Sequence, residues 1–215
     1  MTIWICLADY RVSLNIVANQ QRTIIPPSLK DTRLTGMLAA HIFGLCVKRR
    51  AIEHYMPKAV EQDGDALWMR QALAAASEAW TRDEVPIGAC VVMGEGRLLG
   101  VAGNRTRSDC DPTAHAEIIA LREAAHVFGN YRLTGATVYS TIEPCAMCAG
   151  ALIQARVKRL VYGARDERFG AVESQFRICD TGSLNHRVEI TSGVLEAECR
   201  NLMREFFRAR RTTKG

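Results

Sequence analysis

Apolar and polar positions fall into a regular pattern from Asp65 onward. Met69, Leu73, Ala76 and Trp80 recur at i, i+4, i+7 and i+11, the spacing of one helical face, and predict an amphipathic helix. After Pro86 the apolar stretches Ile87 to Met93 and Arg97 to Ala102 flank Gly94-Glu95-Gly96, which predicts two antiparallel strands joined by a glycine turn. Asp111-Pro112-Thr113 is turn and helix-start chemistry, and Ile118, Leu121, Ala125 and Phe128 then trace the expected buried face of a second helix. Ala136 to Thr141 reads as a strand leading through Glu143-Pro144 into a third helix that ends near Ala155. Arg159 to Gly163 reads as a further strand, and the connection before it is long enough for a parallel crossover. Leu195, Cys199, Leu202 and Phe206 repeat the helical spacing near the end. These elements predict an α/β fold, a mixed sheet flanked by helices.

Residues 1 to 64 differ from the rest. They show no sustained period, contain Pro26-Pro27 and alternate short apolar stretches with basic residues. The expected organisation is an N-terminal extension over 1–64 and one catalytic domain over 65–215. The extension is open to three readings: a poorly ordered tail, a targeting segment, or translated sequence upstream of the true start, with Met56 and Met69 as later in-frame candidates.

At 48% hydrophobic and 24% charged residues the chain has the composition of an ordinary globular protein. The best apolar run, Met37 to Val47, contains His41 and stops at Lys48-Arg49-Arg50, so no membrane span is expected; with Asp9 and Arg11 interrupting the N-terminus, secretion is not expected either. The net charge of +5 is modest for a nucleic-acid partner, but Arg204, Arg208, Arg210, Arg211 and Lys214 gather at the predicted terminal helix. They read either as a solvated helix end or as an RNA contact. Phe207, off that helix's apolar stripe, either stacks on a base or packs internally. The eight cysteines are scattered, unlike a disulfide scaffold, which suits a reducing, cytoplasmic compartment.

Only Cys145 and Cys148 form a C-x-x-C pair. Three apart at a helix start, they project their sulfurs to one side of the first turn, where free backbone N–H groups favour thiolates. By itself such a pair is a metal site, a redox pair or a structural knuckle. His115 also stands at a predicted helix start, so a sheet could bring two helix N-termini together around one ion. One imidazole and two thiolates leave the fourth tetrahedral position to water, the arrangement of a catalytic zinc. Glu117, two residues on, shares the pocket without being placed to ligate the same ion; it reads as a proton carrier, or as a first-turn glutamate that favours the helix dipole. The expected chemistry is that zinc lowers the pKa of its water, Glu117 takes the proton, and hydroxide attacks an amine-bearing ring carbon, with ammonia as the leaving group. H-x-E with P-C-x-x-C is the known signature of zinc nucleobase deaminases. The rival at the same residues is a structural zinc knuckle with Cys110 as fourth ligand.

The wording of these motifs resembles the bacterial-type tRNA-specific adenosine deaminases. The match lies in WTRDEVPIG (Trp80 to Gly88), DPTAHAEIIAL (Asp111 to Leu121), NYRL (Asn130 to Leu133), EPCAMCAG (Glu143 to Gly150), VYGARD (Val161 to Asp166), NHRVEI (Asn185 to Ile190) and EFFRARR (Glu205 to Arg211). The resemblance implies a cytidine-deaminase-like three-layer fold, one zinc ion per subunit, a homodimer, and hydrolysis of the wobble adenosine of a tRNA anticodon loop to inosine. It implies His115, Cys145 and Cys148 as zinc ligands and Glu117 as proton shuttle. It further implies substrate contacts at Asn104, Asp166, Phe206, Phe207, Arg210 and Arg211; without it, Asn104 reads as a turn residue. The long segment before Asp65 has no counterpart in the compact bacterial pattern, and Glu167 to Leu184 matches it less closely than its flanks. Two other functions stay open: a zinc deaminase of a free base, nucleoside or nucleotide, of guanine or cytidine type, and a non-catalytic zinc protein that binds RNA or serves as a partner subunit.

Overall fold

A computed structural model describes residues 2–7, 10–15, 58–94 and 96–212 of the chain. The expectation for residues 1–64 therefore lies mostly outside the described residues. The chain divides into two units, Met1–Met56 and Pro57–Gly215. In the first, β1 (Thr2–Leu7) pairs antiparallel with β2 (Tyr10–Asn15), Thr2 opposite Asn15 and Leu7 opposite Tyr10. The pattern of apolar and polar positions gives no expectation of this hairpin.

The second unit holds four helices and five strands in the order α1 (Lys58–Thr81), β3 (Gly88–Met93), β4 (Arg97–Gly103), α2 (Ala116–Phe128), β5 (Ala136–Ile142), α3 (Ala146–Gln154), β6 (Arg159–Ala164), β7 (Glu189–Ser192) and α4 (Glu196–Thr212). The first helix begins before Asp65: Lys58-Ala59-Val60-Glu61-Gln62 lacks an apolar stripe but consists mainly of good helix formers. The strands lie in the order β4-β3-β5-β6-β7. β3 is antiparallel to both β4 and β5, whereas β5, β6 and β7 are mutually parallel, so the sheet is mixed. β7 was not foreseen; it has four residues at the sheet edge and no buried position to betray it.

Alternation along the strands feeds two cores. Ala89, Val91, Val138, Leu160 and Tyr162 point into one, with α2 and α3; Cys90, Val92, Tyr139 and Val161 point into the other, with Met69 and Ala72 of α1 and Cys199 of α4. The result is three layers, helices on both faces of one sheet. The helices approach β3 and β4 closely enough to exclude side chains. A Cβ on Gly88 would lie 2.0 Å from the Ala72 carbonyl oxygen on one face, and one on Gly100 2.5 Å from that of Ala120 on the other. This contact turns α1 so that Ala72, Ala75, Ala76 and Ala79 are fully inside, while Leu73 and Trp80 of the expected stripe are half-buried. Phe128 departs from its expected place and is exposed, because the buried face of α2 runs only from Ala116 to Ala124.

Candidate active site

Two helix N-termini meet beyond the carboxyl ends of the strands, where α/β sheets commonly bind ligands. His115 is the N-cap of α2 and Cys145 the N-cap of α3, both with extended backbone (φ −74°, ψ 151° and φ −71°, ψ 174°) and neither side chain capping its own helix. Extended backbone is usual for an N-cap, and here neither side chain is engaged by its own helix. His115 Nδ1 lies 3.6 Å from the sulfurs of both Cys145 and Cys148, which are 3.7 Å apart. Donor spacings of about 3.5–3.8 Å are the edges of a tetrahedron whose metal–ligand bonds are about 2.0–2.3 Å long, so the three residues fit a zinc-sized ion. Among the described residues this is the one His/Cys/Asp/Glu group that could hold a metal. Cys110 is not part of it: exposed, with a positive φ of 49°, its thiol sits 3.7 Å from the Arg107 carbonyl oxygen. The fourth-ligand rival therefore loses its residue.

The site favours thiolate at Cys145. The hydrogen bond shared with Cys148, then that of His115, pulls its thiol down to about 4, against the opposing effect of burial. The Cys145 contact in turn raises Cys148 and, through the shared hydrogen bond, His115. A near-formed thiolate facing an imidazole is a pre-organised soft-ligand pair.

Glu117 is 3% exposed, in the first turn of α2. Burial pushes its carboxyl above the ordinary carboxylate range. Ser140 of β5 reaches its Oε1 at 3.4 Å, while Oε2 is buried and makes no hydrogen bond among the described residues. A buried carboxylate oxygen without a partner costs stability, so it marks a group retained for something other than folding. Asn104, at the end of β4, is buried, and its Oδ1 accepts the Ala116 N–H at 2.9 Å. It thus caps the helix on which His115 and Glu117 stand.

Sequence reading missed two further carboxylates. Glu84 is wholly buried and accepts from the Arg107 N–H (2.9 Å), the Ser108 N–H (2.7 Å) and the hydroxyls of Thr106 and Ser108, fixing the loop between β4 and His115. Glu143, just before Pro144-Cys145, does the same for the segment after β6. Both stand inside recognisable motifs, but their backbone partners are 23 to 31 residues away, which no spacing rule finds.

Of the residues expected to touch substrate, Phe206 is buried. Its ring is 2% exposed and edge-on to Trp80 and Phe207, at centroid separations of 5.7 and 5.3 Å, and the Arg210 guanidinium lies 4.6 Å from its centroid. Phe206 holds α4 against α1. Phe207 is 44% exposed and Arg211 is exposed beside it, whereas Arg210 also pairs with Asp83, which in turn pairs with Arg107. Asp166 is half-buried, its Oδ1 accepting from the N–H groups of Arg168 (3.0 Å) and Phe169 (3.2 Å). Among the described residues no helix is long and apolar enough to cross a membrane.

Comparison with known proteins places this geometry in a family. The MafB19-like deaminase family matches residues 64–211. The tRNA-specific adenosine deaminase of Haemophilus influenzae is 46% identical over 155 residues, 72% of this chain and 90% of its own; that of Agrobacterium fabrum is 47% identical over 144 residues, 67% and 94%. A solved structure from work on A-to-I editing by tRNA:A34 deaminases superposes with a TM-score of 0.61 at 47% identity, covering 63% of this chain and 97% of that one. A guanine deaminase from Nitrosomonas europaea superposes at 0.56 with 27% identity, over 66% of this chain and 83% of its own. Nearly the whole length of the adenosine deaminases is therefore matched, on the same three-layer fold, and the chain belongs to the tRNA-specific adenosine deaminase family.

Proposed function

We propose that this protein hydrolyses the wobble adenosine of a tRNA anticodon loop to inosine. The observation that carries the reading is the convergence of His115, Cys145 and Cys148 beside the buried, unpaired Oε2 of Glu117. His115, Cys145 and Cys148 would hold a zinc ion, which would supply a water of lowered pKa beside Glu117. Glu117 would take one proton from that water and pass it to the ring nitrogen, then take the proton of the hydroxyl newly bonded to the ring carbon and pass it to the amino group, which leaves as ammonia and leaves the carbonyl of inosine. The amide NH2 of Asn104 is the donor left to orient the base, since its oxygen is taken by the helix. Asp166, Phe207, Arg210 and Arg211 are assigned to the surrounding nucleotides, with Phe207 as a stacking face and the arginines as phosphate partners. The working enzyme is read as a cytoplasmic homodimer, which fits the exposed Val127, Phe128 and Tyr131 at the end of α2.

Zinc-loaded protein incubated with tRNA, and separately with guanine, cytidine and adenosine, tests the reading. Inosine at the wobble position of tRNA is the expected product. Turnover of the free compounds alone would move the protein to the guanine or cytidine type, and no turnover of any of them would leave a zinc or RNA-binding subunit. Light scattering at two concentrations tests the dimer.

A further inference from the structure

The segment that follows β6 is bound to the turn before Cys145 by the Glu143 side chain and by backbone contacts. Glu143 Oε1 accepts the backbone N–H groups of Val172 (3.1 Å), Glu173 (2.7 Å) and Ser174 (2.9 Å); Oε2 accepts that of Asp166 (3.2 Å) and the Ser174 hydroxyl. Ala171 N–H donates to the Pro144 carbonyl at 2.9 Å, and Gly170 forms a β-bridge with Cys145 itself. The fit is tight enough that a Cβ on Gly170 would lie 2.4 Å from Glu143 Cδ and 2.6 Å from the Asp166 carbonyl oxygen. Only glycine allows this approach. The turn so held carries Arg168 and Phe169 outward; Phe169 is 70% exposed, next to the residue that bridges a metal ligand. Nothing in folding the domain calls for a large apolar ring there.

We infer that Glu143 is a positioning residue for RNA binding, clamping residues 166–174 so that Phe169 and Arg168 form a wall of the site that stacks on, and pairs with the phosphate of, a nucleotide flanking the reacting base. The inference rests on the RNA reading proposed above. An aromatic face and a guanidinium on a rigid turn are the two groups that single-stranded RNA engages without regard to sequence. Rigidity matters because a side chain already in place loses less freedom on binding. Glutamine cannot replace Glu143: its amide NH2 would face N–H donors at one of the two oxygen positions.

The test is steady-state inosine formation in tRNA by full-length, zinc-loaded wild type, Phe169→Ala, Glu143→Gln and the double variant, with zinc content and thermal unfolding measured on each. Phe169→Ala, at an exposed position, should keep zinc and folding, and raise KM for tRNA roughly 10-fold with kcat little changed. Glu143→Gln should raise KM at least as much, and the double variant should be no worse than Glu143→Gln, since both act through one wall. A Phe169→Ala KM equal to wild type, or effects of the two substitutions that multiply, would overturn the inference while the deaminase reading stood. A wild type inactive on tRNA would overturn both.

Discussion

Asn104 Oδ1 accepts the N–H of Ala116, the residue between His115 and Glu117, at 2.9 Å. One buried amide from the end of a strand thus does the capping that His115, as N-cap, does not do for itself. The ligand's imidazole is left free to face the sulfurs, and the helix that carries Glu117 still has a partner for its first N–H.

This double role can be separated by substitution. Asn104→Ala removes the cap and the donor together, so unfolding free energy should fall by about 1 kcal/mol and KM should rise. Asn104→Asp keeps an acceptor for Ala116 and loses the NH2, so stability should stay near wild type while KM still rises. Calorimetry and kinetics on both variants check it; equal destabilisation by the two would refute the capping role.

Glu117 should show the opposite balance of stability and activity. Its Oε2 is buried without a hydrogen bond among the described residues, so Glu117→Gln is expected to leave the melting temperature unchanged or higher and to lower the rate by roughly 100-fold or more with zinc retained. Undiminished inosine formation by zinc-loaded Glu117→Gln protein would end the proton-shuttle assignment.

The metal set is tested by contrast between cysteines. Cys145→Ala and Cys148→Ala should lose bound zinc and activity, whereas Cys110→Ala should keep both, because the Cys110 thiol points to the Arg107 carbonyl and not to the cluster. Metal analysis after dialysis gives the readout.

Glu84 links stability to pH. Burial alone would raise its carboxyl, but the hydrogen bonds from Ser108, Thr106 and Arg107 outweigh burial and hold it below the ordinary 4.5. A depressed folded pKa adds stability that is complete above 4.5 and disappears as pH falls through the lower folded value. Glu84→Gln should therefore be less stable than wild type at neutral pH, by about 1–3 kcal/mol for donors left without partners, and the gap should narrow below 4.5. A gap that stays constant in denaturant titrations down to about pH 3 would contradict this linkage.

Elements that announce themselves by local pattern were legible in the chain: the glycine hairpin of β3 and β4, the crossover from β5 through α3 to β6, and the helix starts at His115 and Cys145. So was the chemistry, because imidazole, thiolates and carboxylate in H-x-E and P-C-x-x-C carry their roles in residue type and spacing. Tertiary structure decided what depends on contacts between distant residues. Met69 and Ala76 of the expected α1 stripe are fully buried, but Leu73 and Trp80 gave way to Ala72, Ala75 and Ala79 because β3 and β4 press glycines against the helix backbone, and β7 formed at an edge that four residues could not signal. Phe206 and Phe207 are adjacent and chemically identical, yet packing against Trp80 took one ring into the interior and left the other outside. Glu84 and Glu143 became loop clamps only because folding brought backbone N–H groups more than twenty residues away onto their oxygens. Sequence specifies a group's chemistry; which neighbours that group meets is set by the packed fold, since burial and hydrogen-bond partners are properties of three-dimensional proximity.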